Sequence, residues 1–149
     1  MNALASLPAF SPYAVSVIAL GLNLLGLANA TAISRGQANE VVNPEDKKLN
    51  QKASVVFDEG NDRTARYRRA HRNALENVPL FMITAFVLTL MGASSTLGAA
   101  LFYPYAVLRI LHSVSYVKQL QPFRTITFVL ASVIQVVVLG FIGYYTFAG

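Results

Sequence analysis

The stretch from Arg63 to Phe81, RTARYRRAHRNALENVPLF, holds the densest set of side chains able to do chemistry: five arginines with His71, Asn73 and Glu76. At helical pitch Arg69, Arg72, Asn73 and Glu76 recur at i, i+3, i+4 and i+7, so guanidinium groups, an amide and a carboxylate share one face. Such a face suits a small zwitterionic or polyanionic ligand. It equally describes a basic helix whose arginines touch lipid phosphates, and these residues alone leave both readings open. A second set lies downstream, where Arg109, His112 and Tyr116 recur at i, i+3 and i+7 inside an apolar run and Arg124 follows a short loop. An arginine at the centre of a span costs on the order of 2.5 to 3.5 kcal/mol on insertion scales, so such groups usually face a bundle interior or a wet cavity. Snorkelling of Arg109 toward the span end near Lys118 is the alternative.

These residues sit in a chain built for a membrane. It has 149 residues, 54% hydrophobic and 13% charged, and a mean hydropathy of +0.47 is too high for an ordinary soluble domain. Residues 11–33 carry no charge, and at 1.5 Å per residue they reach across a hydrocarbon core of ~30 Å. Ala28-Asn29-Ala30 looks like a signal-peptide cleavage site, but no positive residue precedes the run and the run is too long. A polar loop over about residues 34–62 follows, with Pro44 in a turn, Gly60 as a breaker and Asp62 as the expected cap of the next helix. The remaining spans are expected at about 65–91, 96–117 and 125–148, the second requiring its polar first turns to continue into the apolar run through Pro79, which would bend it. The chain therefore reads as one all-α integral membrane domain, a four-helix bundle covering residues 1–149.

Every Lys, Arg, Asp and Glu lies between Arg35 and Arg124, on the first and third connections or the span ends that meet them. The positive-inside rule then puts those connections on the cytoplasmic side and both termini on the far side. The polar side chains of four helices are expected to converge at that one level. The formal net charge of +5 points to anionic lipid or an anionic small molecule rather than nucleic acid, because the charge flanks membrane spans. With no cysteine, any sulfur chemistry must use a sulfur brought by a ligand. His71 and His112 are the only histidines and no acidic cluster with ligand spacing joins them, so no metal is expected. His71 reads as a packing or interfacial residue.

The run Arg69-Ala70-His71-Arg72-Asn73-Ala74-Leu75-Glu76-Asn77-Val78-Pro79-Leu80-Phe81 resembles the signature of the membrane-associated proteins in eicosanoid and glutathione metabolism, the MAPEG family. The likeness extends to Asn43-Pro44-Glu45-Asp46 in the first loop, to Arg109, His112 and Tyr116, and to Gln121-Pro122-Phe123-Arg124. It covers nearly the whole chain, and it is to the transferase and prostaglandin-synthase branches rather than the non-catalytic one. The resemblance implies a homotrimer with glutathione as co-substrate, bound bent at each subunit interface near the cytoplasmic side. By position, Arg35, Arg72, Asn73, Glu76, His112 and Tyr116 would hold the tripeptide, with Arg69, Arg109 and Phe128 in the same site. Arg124 would lie beside the sulfur and Thr125 could give it a second hydrogen bond.

The activity so implied is a glutathione transferase with peroxidase activity as a second capacity, in detoxification of a hydrophobic electrophile or lipid hydroperoxide that arrives through the bilayer. Its membrane would be of the endoplasmic-reticulum type in a eukaryote or the inner membrane in a bacterium. Ala74 stands where several relatives have aspartate, and Phe128 where they can have tyrosine. A non-catalytic lipid- or glutathione-binding scaffold with the same fold is the competing reading.

Overall fold

The computed structural model describes residues 3–148. Four long helices dominate it: α1 (Phe10–Gln37), α2 (Asp62–Leu90), α3 (Ser95–Val117) and α4 (Phe123–Phe147). Their 23 to 29 residues give lengths of about 35 to 43 Å at 1.5 Å per residue, and all four are apolar enough to cross a membrane. The expected spans fall within these helices to within a few residues. Large apolar side chains such as Ile18 and Leu22 on α1, Ile83 on α2 and Val133 and Val136 on α4 are more than half exposed. A bilayer rather than water is the solvent that tolerates them, and the chain is an integral membrane protein.

The interior is narrow and held by aromatic packing. Phe81 of α2 stacks on Tyr105 of α3 with ring centroids 3.6 Å apart, and Phe102 meets Phe81 edge-on at 5.9 Å. α2 runs unbroken through Pro79 and α3 through Pro104. Two polar pairs tie spans together: half-buried Asn23 Nδ2 donates to Ser113 Oγ at 3.0 Å between α1 and α3, and buried Gln135 Nε2 to Thr84 Oγ1 at 3.0 Å between α4 and α2.

The polar loop between α1 and α2 is more ordered than a turn with helical pieces. Besides a 3-10 segment at Pro44–Lys48 it forms a short parallel ladder, β1 (Glu40–Val41) on β2 (Ser54–Val55), which hydropathy does not foretell. The expected cap is also displaced by one residue. Asn61, not Asp62, caps α2, its side-chain oxygen accepting from the backbone N–H groups of Arg63 and Thr64 at 3.0 and 3.1 Å. Asp62 lies in the first turn, where its charge complements the helix dipole. The Glu40 carboxylate selects this arrangement by accepting from the Asn61 backbone N–H at 3.1 Å and from its Nδ2 at 3.0 Å. Gly60 makes the approach feasible: its φ is +80°, and a Cβ there would lie 2.6 Å from a Glu40 oxygen.

Asn61→Ala removes the cap and the side-chain bond to Glu40, leaving the backbone N–H bond to that carboxylate. It is expected to cost about 1 kcal/mol as a cap alone. Limited proteolysis in detergent should cut the 40–61 segment faster than in the unmodified chain while the four helices stay protected.

Candidate functional site

The polar side chains gather at the end of the bundle that carries the charged loops. Arg109, two turns short of the end of α3, is only 2% exposed. Its Nη2 donates to both oxygens of Asn73 on α2, the side-chain oxygen at 2.8 Å and the backbone carbonyl at 3.1 Å. Its guanidinium also lies 5.9 Å from the Phe128 ring centroid on α4.

One turn further along α3, His112 Nδ1 is 3.0 Å from the Arg124 carbonyl oxygen. A carbonyl only accepts, so the Nδ1 proton donates and Nε2 is left as the free ring nitrogen. The imidazole is flanked by Tyr116 and Phe128 at 5.9 and 5.7 Å. Arg124, in the first turn of α4, lays its guanidinium 4.7 Å over the Tyr116 ring. Gln121 completes this end: with its amide oxygen toward Arg124 it accepts from Nη2 at 2.7 Å and Nε at 3.1 Å, while its amide nitrogen donates to Thr125 Oγ1 at 3.1 Å. Asn73, Arg109, His112, Tyr116, Arg124 and Phe128 thus form one connected constellation, joined to Thr125 through Gln121.

The other expected site residues lie apart from it within the chain. Arg69 pairs with Glu59 of the loop, and Arg72, whose side chain is 69% exposed, stands 3.9 Å from the same carboxylate. Arg68 donates to the Asp58 carbonyl at 2.7 Å. Phe57, Glu59, Arg68, His71, Arg72 and Leu75 line an open cavity of about 440 Å³. Arg35 borders a neighbouring crevice with Glu40, Glu59 and Arg68. Glu76 is exposed and makes no ion pair among the described residues. The sequence reading assigns no site role to Glu59 or to Gln121, although Gln121 belongs to the Gln121-Pro122-Phe123-Arg124 stretch of the family resemblance.

Chemically, the constellation offers a ligand one buried donor, the Arg109 Nε–H, and one buried acceptor, His112 Nε2. Among the described residues four buried side-chain polar atoms lack a partner, and two of them, Arg109 Nε and His112 Nε2, are here. Native interiors leave few such groups, and the usual explanation is a ligand or water at that place. Among the described residues no group of three metal-ligating side chains is formed.

Fold and site together define a four-span membrane protein with a basic polar cluster at one end of the bundle. The MAPEG family profile matches residues 13–144, and the chain belongs to the MAPEG family. Microsomal glutathione S-transferase 1 of Rattus norvegicus is 33% identical over 128 residues, covering 82% of this chain and 79% of that protein. The Homo sapiens protein of that name is 32% identical over 126 residues, covering 80% and 77%. Prostaglandin E synthase of Homo sapiens is 27% identical over 127 residues, covering 85% and 82%.

Asn73→Ala should leave Arg109 with the backbone oxygen alone. Loss of a hydrogen bond to a charged group costs about 1.5 to 3 kcal/mol, so the thermal unfolding midpoint in detergent should fall. Asn73→Asp, which keeps an acceptor of the same reach, should hold the midpoint near that of the unmodified chain.

Proposed function

We propose that the chain is a membrane-bound glutathione transferase that binds glutathione among Arg35, Arg69, Arg72, Asn73, Glu76, Arg109, His112, Tyr116 and Phe128 and activates its thiol with Arg124. The observation that carries the reading is the pair of buried unpartnered nitrogens, the Arg109 Nε donor and the His112 Nε2 acceptor, beside the Arg124 guanidinium, whose Nη1 has no partner among the described residues. Kinship with two glutathione S-transferases supports it. The separation of Arg35, Arg69, Arg72 and Glu76 from the constellation fits a site shared between subunits of a homotrimer. By the positive-inside rule the site faces the cytoplasm.

The electrostatics of the step are favourable. A free thiol titrates near 8.5, so a largely ionised thiolate at neutral pH requires a downward shift of about two units, or roughly 2.7 kcal/mol. A guanidinium about 4 Å away at an effective dielectric of ~20 supplies on the order of 4 kcal/mol before desolvation is subtracted. One arginine is enough. The Thr125 hydroxyl, which accepts from Gln121, keeps its own proton to donate to the sulfur.

The thiolate then attacks an electrophilic carbon of a hydrophobic substrate, forming a C–S bond as a halide or other leaving group departs with the electron pair. With a lipid hydroperoxide it attacks the distal oxygen, the O–O bond breaks, and the alkoxide takes a proton to become an alcohol. The resulting sulfenic acid condenses with a second glutathione to the disulfide and water.

Purified protein saturated with glutathione at pH 7 should show ultraviolet thiolate absorbance. In Arg124→Ala that absorbance should appear only as the pH rises toward about 8.5, the ordinary thiol value, with the oligomer unchanged; thiolate at pH 7 in that variant would defeat the assignment. Conjugation of an aryl halide at saturating glutathione separates enzyme from scaffold. The unmodified chain should consume the electrophile, whereas a scaffold leaves it untouched.

A further inference from the structure

The face of the bundle formed by α1 and α3 carries a groove that the glutathione reading does not use. It encloses about 270 Å³ and is walled by Gly26, Leu27 and Ala30 of α1 and by Val114 and Val117 of α3. Small residues keep the α1 wall low: a Cβ placed on Gly26 would meet nothing within 4 Å. The polar groups at its floor are turned to each other, Asn23 Nδ2 donating to Ser113 Oγ, and Ser113 Oγ donating on to the Arg109 carbonyl at 3.1 Å. What remains facing outward is mostly hydrocarbon.

At its loop end the groove borders a second cavity. Tyr67 and Val117, which line the groove, also line this cavity of about 350 Å³ bounded by Asp62, Arg63, Arg66 and Gln119. The apolar slot therefore adjoins a polar chamber at the level where α3 ends and α2 begins. Lys118 stands at the mouth of the slot. Arg63 is engaged with Gln37 Oε1 at 3.3 Å, and the Asp62 carboxylate belongs to the chamber, so it removes part of the positive charge. Arg66 and Lys118 have no ion pair or hydrogen-bonded side-chain partner among the described residues.

We propose that this face binds an anionic phospholipid, with an acyl chain in the α1–α3 groove and its phosphate held by Arg66 and Lys118. The argument is one of complementarity along the membrane normal: an apolar slot inside the span, then two unpaired cations at its loop end, matches a lipid's tail and head in order. Arginine meets phosphate with two parallel donors, and lysine adds a point charge. A free anion would use the chamber and leave the slot idle; a zwitterionic lipid would bring its own cation against Arg66 and Lys118. None of the residues assigned to glutathione lines either cavity.

Native mass spectrometry of the full chain in detergent, with equimolar phosphatidylglycerol and phosphatidylcholine added, tests the proposal. The unmodified chain should retain phosphatidylglycerol preferentially. The double variant Arg66→Gln with Lys118→Gln should lose at least about fivefold of that preference, since a basic side chain near the membrane surface contributes ~1 kcal/mol. Gly26→Leu, which grows into open space, should lower retention of both lipids with no change in unfolding midpoint. Equal retention of the two lipids by the unmodified chain, or undiminished preference in the double variant, would overturn it. So would competition by glycerol phosphate as effective as that of intact phosphatidylglycerol, because the groove would then contribute nothing.

Discussion

Arg109 lies eight residues inside the end of α3, roughly 12 Å into the span at 1.5 Å per residue. A guanidinium at that depth cannot be left to hydrocarbon, and the bundle is arranged to enclose it. Asn73 gives it two oxygens, and the turn that supplies them is itself tied, because Asn77 Nδ2 donates to the same Asn73 carbonyl at 2.8 Å. One turn away, the Tyr105 hydroxyl donates to the Asn77 carbonyl at 3.2 Å. Residues four apart on α2 thus meet residues four apart on α3 in antiparallel order, and Phe81 continues the series against Tyr105 and Phe102. A slip of one turn between the helices would strand a buried charge, a penalty of about 3 to 5 kcal/mol for breaking such a contact. The register of α2 on α3 is fixed by that cost.

The placement of α4 follows from the same pairing. Phe128 covers Arg109 and His112, and the Arg124 carbonyl receives the His112 proton, so two successive turns of α3 meet two of α4. With its backbone held by His112, Arg124 can only swing its side chain over Tyr116, where Gln121 fixes the fork. Phenylalanine at 128 serves this as tyrosine would, because the contact uses the ring and not a hydroxyl. The free face of the Arg124 guanidinium is then set by Tyr116 of α3 and by Gln121 of the short loop that leads into α4.

Much of this could be read from residue order alone. The spans are legible because the charge-free runs are long, and the alignment of Arg109, His112 and Tyr116 on one side of α3 follows from helical pitch. Other features depend on chain paths that pitch does not specify. Asn61 and Asp62 are both good caps, and only the positive φ at Gly60 and the reach of Glu40 decide between them. Arg69, Arg72 and Asn73 share a broad face by periodicity, yet offsets of about 40° from Arg69 and about 100° from Arg72 send Asn73 to α3 and both arginines to the loop. Periodicity identifies a face; it does not identify the neighbour. The two-residue parallel ladder has no pattern long enough to detect.

The division of the basic residues into two groups has an energetic consequence. Arg109 is enclosed, and its partner cannot be exchanged without exposing a charge to oil. The Arg69 and Glu59 side chains are 36% and 42% exposed and that of Arg72 69%, so each pair contributes no more than about 1 kcal/mol. Replacing the Glu59 carboxylate at those arginines by the carboxylate of a bound ligand is therefore close to neutral in charge and small in free energy. The enclosed group fixes where the helices stand, and the exposed group can change partners without disturbing them. In the site proposed above, which draws on both groups, a charged peptide would meet the exchangeable group at the rim while the enclosed group holds Arg124 in place.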